Sequence, residues 1–444
     1  MPNIYLTLEE LEEKANPVIG SLSFPQINDV AQLRESFIDD LIFTAEFSED
    51  DVVKKVAGDT IYKLASLTGA NSTSIYPLYS SFGRQEIDGF TVPALNVRTL
   101  SYDFARLIFR MMLDHEIGAI VFELSRTEIT YTHQNPREYI LAILAAAIRE
   151  GYQGPIFILG DHYQFNKEKF DSNKEKEIED LKVLIKESLD AGYGNIDIDA
   201  STLVDLGQKE LVDQQKDNSE MTALLITYIR SLETHHHTIS IGGEIGHIGD
   251  RNSTVEDFEA FITQYQKLIS GIGISKVSVQ TGTSHGGTPL PDGTLKAVTL
   301  DFSVLNSIST VARDNYQIGG AVQHGASTLP LEDFNHFVEN KTLEIHLATG
   351  LQNIIYDNLP TDLKDEMYTW IKETLQDERK PDWTEEQFIY KARKKALGPF
   401  KELLWTLSEE EKQPILQELE NHLTIILKEL RTFGTRQKVL QLFR

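Results

Sequence analysis

The sequence predicts an α/β protein built around a closed (β/α)8 TIM barrel, with extra N-terminal and C-terminal helices. Three observations predict it. Eight short β-rich runs alternate with amphipathic helical stretches, the alternation occupies about residues 86–358 of 444, and both flanks carry helical periodicity only. An open doubly wound sheet would hold the same alternation, so the count of runs does not by itself fix closure.

Residues 1–85 carry apolar residues at three- and four-residue spacing in TLEELEEK, DVAQLRESFIDDLIFTAEF and VVKKVAGDTIYKLASL, which predicts helices and offers no catalytic pattern. The β-rich runs are VPALNV (92–97), AIVFEL (119–124), PIFILGDH (155–162), NIDIDA (195–200), TISIGGEIG (238–246), KVSVQTG (276–282), IGGAVQHG (318–325) and LEIHLATG (343–350). Stretches such as SYDFARLIFRMMLDHE and REYILAILAAAIREG separate them and read as the outer helices. From 359 to 444 the chain is helical and highly charged, and these helices are expected to pack on the barrel, an oligomer interface being the alternative; the chain is expected to form a homo-oligomer, a dimer or larger. The expected division is therefore 1–85, 86–358 and 359–444.

Composition limits the chemistry. There is no cysteine, which leaves His, Asp and Glu as the donors for any metal. A net charge of −26 excludes a grip on nucleic acid through counterion replacement, and it requires any anionic substrate to find a strictly local source of positive potential. No run approaches the ~18 apolar residues of a membrane helix. MPNIYLTLEELEEK has neither a basic nor an apolar leader character, so the expected location is the cytoplasm, with no membrane partner.

In such a barrel, chemistry gathers where strands end at their C-terminal side. The third run ends in Asp161–His162, the fifth in Glu244, and His285 and His324 follow or close the sixth and seventh. Three neutral imidazoles can hold a zinc ion and leave a coordination position open. The adjacent HGG and HGAS let backbone approach a ligand and offer N–H groups to an anion without net charge. His235–His237 precede a strand, at the opposite rim, and are expected to be solvated. His115, His133, His336 and His422 fall in helices or loops without partners.

GDHYQ, AGYGNIDIDAS, GGEIGHIG with VED after it, VQTGTSHGG, VQHGAS and EIHLATGLQ together resemble, in this order, the successive signatures of the class II, zinc-dependent fructose-bisphosphate aldolases. GFTVPALNV is similar to the family's first strand, and YKARKKALGPF is a weaker echo near 390–400. The resemblance implies that His162, His285 and His324 bind Zn2+ or another divalent metal, and that Asp199 and Glu244 form a second metal position. It implies proton exchange with the substrate at Asp161 and, from a mobile loop, at Glu256. It further implies substrate contacts at Asn96, Ser125, Gly286, Gly325, Ala326, Ser327 and Thr349.

Where the family carries Asn-Ile-Asp-Thr after the eighth strand, this chain carries HLAT, which puts His346 in the amide's place and Ala348 in the carboxylate's. His346 can still donate a hydrogen bond to a substrate hydroxyl. The loop from Glu244 to Glu256 is also longer than the family's compact turn. The implied reaction is reversible cleavage of a phosphorylated ketose, fructose 1,6-bisphosphate above all, as in glycolysis and gluconeogenesis. A non-catalytic, aldolase-like partner subunit and a metal-dependent hydrolase on the same barrel are the alternatives.

Overall fold

The computed structural model describes residues 2–233, 238–246, 251–282 and 300–443. Eight barrel strands run Val92–Leu95, Val121–Ser125, Gly154–Gln164, Asn195–Asp199, Ser240–Glu244, Lys276–Val279, Ala321–Gln323 and Glu344–Leu347. Each is parallel to its neighbours. The first strand pairs with the eighth, Val92 opposite Glu344 and Ala94 opposite His346, so the sheet closes and the open alternative is excluded. Seven of these strands are buried along their whole length, as expected where helices cover one face and the barrel lumen the other.

The third strand is the exception in length and shape. It spans eleven residues, and its N-terminal end carries an additional short strand, Ala70–Ser72, in parallel register with Gly154–Ile156. Its pairing with the fourth strand shifts between Gly160 and Tyr163, and His162 sits inside that shift at φ 43°. Neighbouring residues of a regular strand face opposite sides. The bulge cancels that alternation, and so Asp161 and His162 both reach the cleft. Gly160 makes the bulge feasible: a Cβ there would lie 2.4 Å from the Tyr163 ring, whose hydroxyl is anchored 2.5 Å from Ser188 Oγ.

The lower mouth is plugged by the helix Tyr76–Gly83, with Ile75, Leu78, Tyr79 and Phe82 packed on Val92, Val121, Phe157 and Leu343. Terminal helices lean on one another across the side of the barrel. Trp405, on the C-terminal side, meets Phe43 and Phe47 edge-on at 5.8 and 5.6 Å and stacks on Tyr102 at 6.4 Å. Lys401 pairs with Glu46, and Lys412 Nζ lies 2.9 Å from Asp103. The N-terminal helices, the barrel and the C-terminal helices thereby share one continuous apolar core. Among the described residues no helix is long and apolar enough to cross a membrane.

Candidate functional site

Strand ends, loops and the C-terminal segment enclose a cleft of about 330 Å3 on the barrel axis. Its floor is set by strand parity. Residues two apart share a face, so Glu344 and His346 both point into the lumen, as do Asp197 and Asp199. The lumen is correspondingly ionic, where barrels of this kind ordinarily stack branched apolar side chains.

At the bottom, Tyr79 donates to Glu344 from below, and the fully buried Lys276 pairs with Glu344 and, at 2.7 Å, with Asp197 Oδ2. Burial opposes the charge on Lys276, but the two carboxylates win and raise its pKa. One level up, His346 Nε2 lies 2.6 Å from Glu344 Oε1, while its Nδ1 faces Glu123 and, at 3.4 Å, Asp161 Oδ1.

The next level holds the expected metal donors. His162 Nδ1 lies 3.2 Å from Asp199 Oδ2 and 3.3 Å from Glu244 Oε2. The rings of His162 and His324 are 4.2 Å apart, and the ligand atoms of His162, Glu244 and His324 all fall within 4.8 Å of one another. Asp199 is itself oriented by Ser201, whose backbone N and Oγ donate to Oδ1, and by Gln164, which donates to Oδ2. Burial pushes the Glu244 carboxyl up to about 7, helped by the neighbouring Asp199. Burial also opposes ionisation of Asp161, yet the charges on His162 and His346 hold it well below the usual carboxylate range. Imidazoles and crowded carboxylates at this spacing are a donor set that fits a divalent cation.

Of the other expected site residues, Ser125, Gly325, Ser327, His346 and Thr349 line the cleft. Ala326 is buried behind Gly325, which adopts the left-handed φ of 74°. Asn96 is turned to the protein, donating to Glu128 and accepting from the Arg98 backbone. Glu256 is exposed in the first turn of the helix Val255–Tyr265 and does not line the cleft. His285, Gly286 and the triplet His235–His237 lie outside the described residues.

Sequence reasoning missed the cleft's cations. Arg98 donates to Glu128, Thr349 and Gln352, tying together the loops after the first, second and eighth strands. Lys391 and Lys394 come from the C-terminal segment and reach the same cleft beside Tyr131 and Tyr390. YKARKKA, a basic run in an acidic chain, was the signal for them. Glu123 and Glu344 were also missed; charged residues inside short apolar runs, at inward parity, mark them.

The family model for class II fructose-bisphosphate aldolase matches residues 81–403, most of the chain. The protein belongs to the class II fructose-bisphosphate aldolase family. No curated protein matches it in sequence. Among solved structures it is similar to a glycerol complex of fructuronate-tagaturonate epimerase UxaE from Cohnella laeviribosi, at 12% identity over 86% of each chain with a TM-score of 0.53. It is similar to a probable tagatose 6 phosphate kinase from Sinorhizobium meliloti 1021, at 14% identity over 79% of this chain and 92% of that one, TM-score 0.50. It also matches fructose-bisphosphate aldolase (Fba) from Campylobacter jejuni, at 16% identity over 82% and 97%, TM-score 0.48. At these identities the shared property is the fold; membership of the aldolase family rests on the family model.

Proposed function

We propose that the protein is a divalent-metal-dependent lyase that makes and breaks the C3–C4 bond of a phosphorylated ketose, with fructose 1,6-bisphosphate as the first substrate to test. The observation that carries this reading is the donor group His162, Glu244 and His324 on the floor of a cleft whose walls present Arg98, Lys391 and Lys394. His285 is the further donor expected from sequence.

His162, Glu244 and His324 would hold a divalent cation, which would supply the positive charge that the electrons collecting on C3 require. Asp161, ionised and beside His162, accepts the proton of the C4 hydroxyl in cleavage and returns it in condensation. Gly325, Ser327 and Thr349 hold the phosphate of the ketone half. There the helix Thr349–Asn358 begins without a side-chain cap from Ala348, and Gly350 N–H donates to Ser327 Oγ at 3.1 Å, which ties the two loops together beside the anion's place. Lys391, Lys394 and Arg98 receive the phosphate at the other end. The C3 proton role expected of Glu256 belongs to the loop between Glu244 and Glu256, part of which lies outside the described residues.

The amine route is disfavoured by Lys276, the lysine that among the described residues points into the lumen. Its ammonium is held charged by Asp197 and Glu344 below the cleft, and a protonated amine is no nucleophile. The test is cleavage of fructose 1,6-bisphosphate to triose phosphates, abolished by chelator and restored by Zn2+ or Co2+. His162→Ala and His324→Ala should each lose metal and turnover while keeping the fold. Chelator-resistant cleavage, or full metal content in both variants, overturns the reading. Product analysis should look for an epimerised ketose as well as two fragments, since re-addition of the aldehyde on its other face uses the same residues.

A further inference from the structure

We propose a second, deeper cation site in the barrel lumen, formed by Glu123, Asp161 and His346 with His324 at its edge, which takes a divalent first-row transition cation. It is separate from the donor group of His162, Glu244 and His324, with which it shares only His324.

The argument is geometric. Glu123 Oε2 and Asp161 Oδ1 are buried and both face the buried His346 Nδ1, and none of the three atoms makes a hydrogen bond of good geometry. Asp161 Oδ1 is 3.4 Å from His346 Nδ1 and 3.9 Å from His324 Nε2; Glu123 Oε2 is in contact with the same His346 nitrogen. The ligand atoms of Asp161, His324 and His346 lie within 4.8 Å of one another. One proton on Nδ1 cannot serve both carboxylates, whereas a cation between them serves both and the imidazole together. Two carboxylate oxygens with one or two imidazole nitrogens is a mixed donor set suited to Zn2+ or Co2+.

The surroundings are those of a metal-binding histidine. His346 Nε2 lies 2.6 Å from Glu344 Oε1, which keeps the proton on Nε2 and leaves Nδ1, facing Glu123 and Asp161, as the nitrogen a cation would take by displacing its proton. Glu344 is in turn fixed by Tyr79 from below and by Lys276 from the side. Charge balance points the same way. Glu123, Asp161, Asp197, Asp199, Glu244 and Glu344 crowd a buried lumen, and Lys276 is its one ammonium among the described residues. Lys276 answers Asp197 and Glu344, the lower pair; the upper carboxylates face imidazoles, whose protons a bound divalent cation would replace.

A functional consequence rests on the lyase reading above. With the deep site filled, Asp161 is a ligand and cannot carry the C4 hydroxyl proton, so excess metal inhibits an enzyme that limiting metal activates.

The test is metal binding to the full chain, stripped with chelator and titrated with Co2+ by calorimetry and by the visible absorption of the bound ion. Glu123→Gln should bind one equivalent fewer than the wild type and lose the corresponding absorption band, while Glu244→Gln retains it. Glu344→Gln, which keeps every ligand, should weaken that same equivalent about 10- to 100-fold. Should Glu123→Gln fail to fold, Glu344→Gln decides alone. Unchanged stoichiometry and affinity in the folded variants overturns the proposal. Loss of the equivalent in a protein with no lyase activity upholds this site and removes the proposed function, so the two failures are distinguishable.

Discussion

Replacing Lys276 with methionine tests whether the ionic lumen is structural. Lys276 is 2% exposed, and its ammonium sits between Asp197, at 2.7 Å, and Glu344. At an effective dielectric of about 20, a pair at 2.7 Å interacts by roughly 6 kcal/mol, against a desolvation cost of several kcal/mol per ion. Methionine fills the volume and removes the charge, leaving two carboxylates facing each other. Burial already pushes Asp197 up to about 6 with the lysine present, so without it this carboxyl takes a proton at neutral pH and limits the damage.

The net loss expected is about 3–5 kcal/mol, the usual cost of stranding one partner of a buried pair. A chain of 444 residues unfolds with an entropy near 0.9 kcal/mol/K if ~2.1 cal/mol/K per residue applies, so Tm should fall by about 3–5 °C. Scanning calorimetry and urea unfolding measure this, and Asp197→Asn in the same background should cost less than it does alone. An unchanged Tm together with strictly additive single and double variants would refute the ion-pair account. Borohydride reduction with substrate should trap no adduct on Lys276, whose charge the pair secures.

The double variant Lys391→Ala/Lys394→Ala should raise KM for a phosphorylated ketose about 10- to 100-fold with kcat little changed, since it removes charge-assisted contacts remote from the bond being broken; equal KM values would take the segment out of the site. Gly160→Ala should destabilise the protein by about 1–3 kcal/mol and lower its metal affinity, because the new methyl meets Tyr163 at 2.4 Å and straightens the bulge that turns His162 inward; wild-type unfolding and binding would count against that role. Burial raises the Glu244 pKa from 4.5 to about 7, so the folded protein holds that proton longer than the unfolded chain does. Stability of the chelated protein should therefore decline between those two pH values, by on the order of 3 kcal/mol from this group. Glu244→Gln should flatten the decline, and an equally steep profile in the variant would assign it elsewhere.

The barrel was legible because its runs are short, apolar and bounded by glycine, and because the helices between them are long enough to cross from one strand to the next. Closure was not, since it depends on the first strand pairing with the eighth across some 250 residues, and no local pattern reports that. The rim residues were legible for a related reason. Asp161, His162, Glu244 and His324 each end a run, and the fold brings strand ends together whatever their separation in sequence. The bulge at Gly160–Tyr163 was hidden, although GDHY carried a hint: two polar residues in succession at a strand end cannot both face one side without it. Lys391 and Lys394 were hidden because they belong to a segment read as packing helices, and only the tertiary path of the C-terminus carries them over the cleft.

The charge distribution then has a physical logic. A chain of net charge −26 repels an anionic sugar phosphate at long range, but salt at physiological strength screens that repulsion beyond about 8 Å. Inside the cleft, with Arg98, Lys391 and Lys394 close by and solvent partly excluded, the local field is what the substrate meets. Below them the order reverses, with carboxylates concentrated on the axis. On the proposed function, this would draw the phosphates to the walls and the metal to the floor, and set the ketose between them with its C2 carbonyl toward the cation and its C4 hydroxyl toward Asp161. Exchanging the two layers would bring phosphate to the carboxylates and leave the metal at the mouth, so the vertical separation of charge in the barrel is what would orient the proposed substrate.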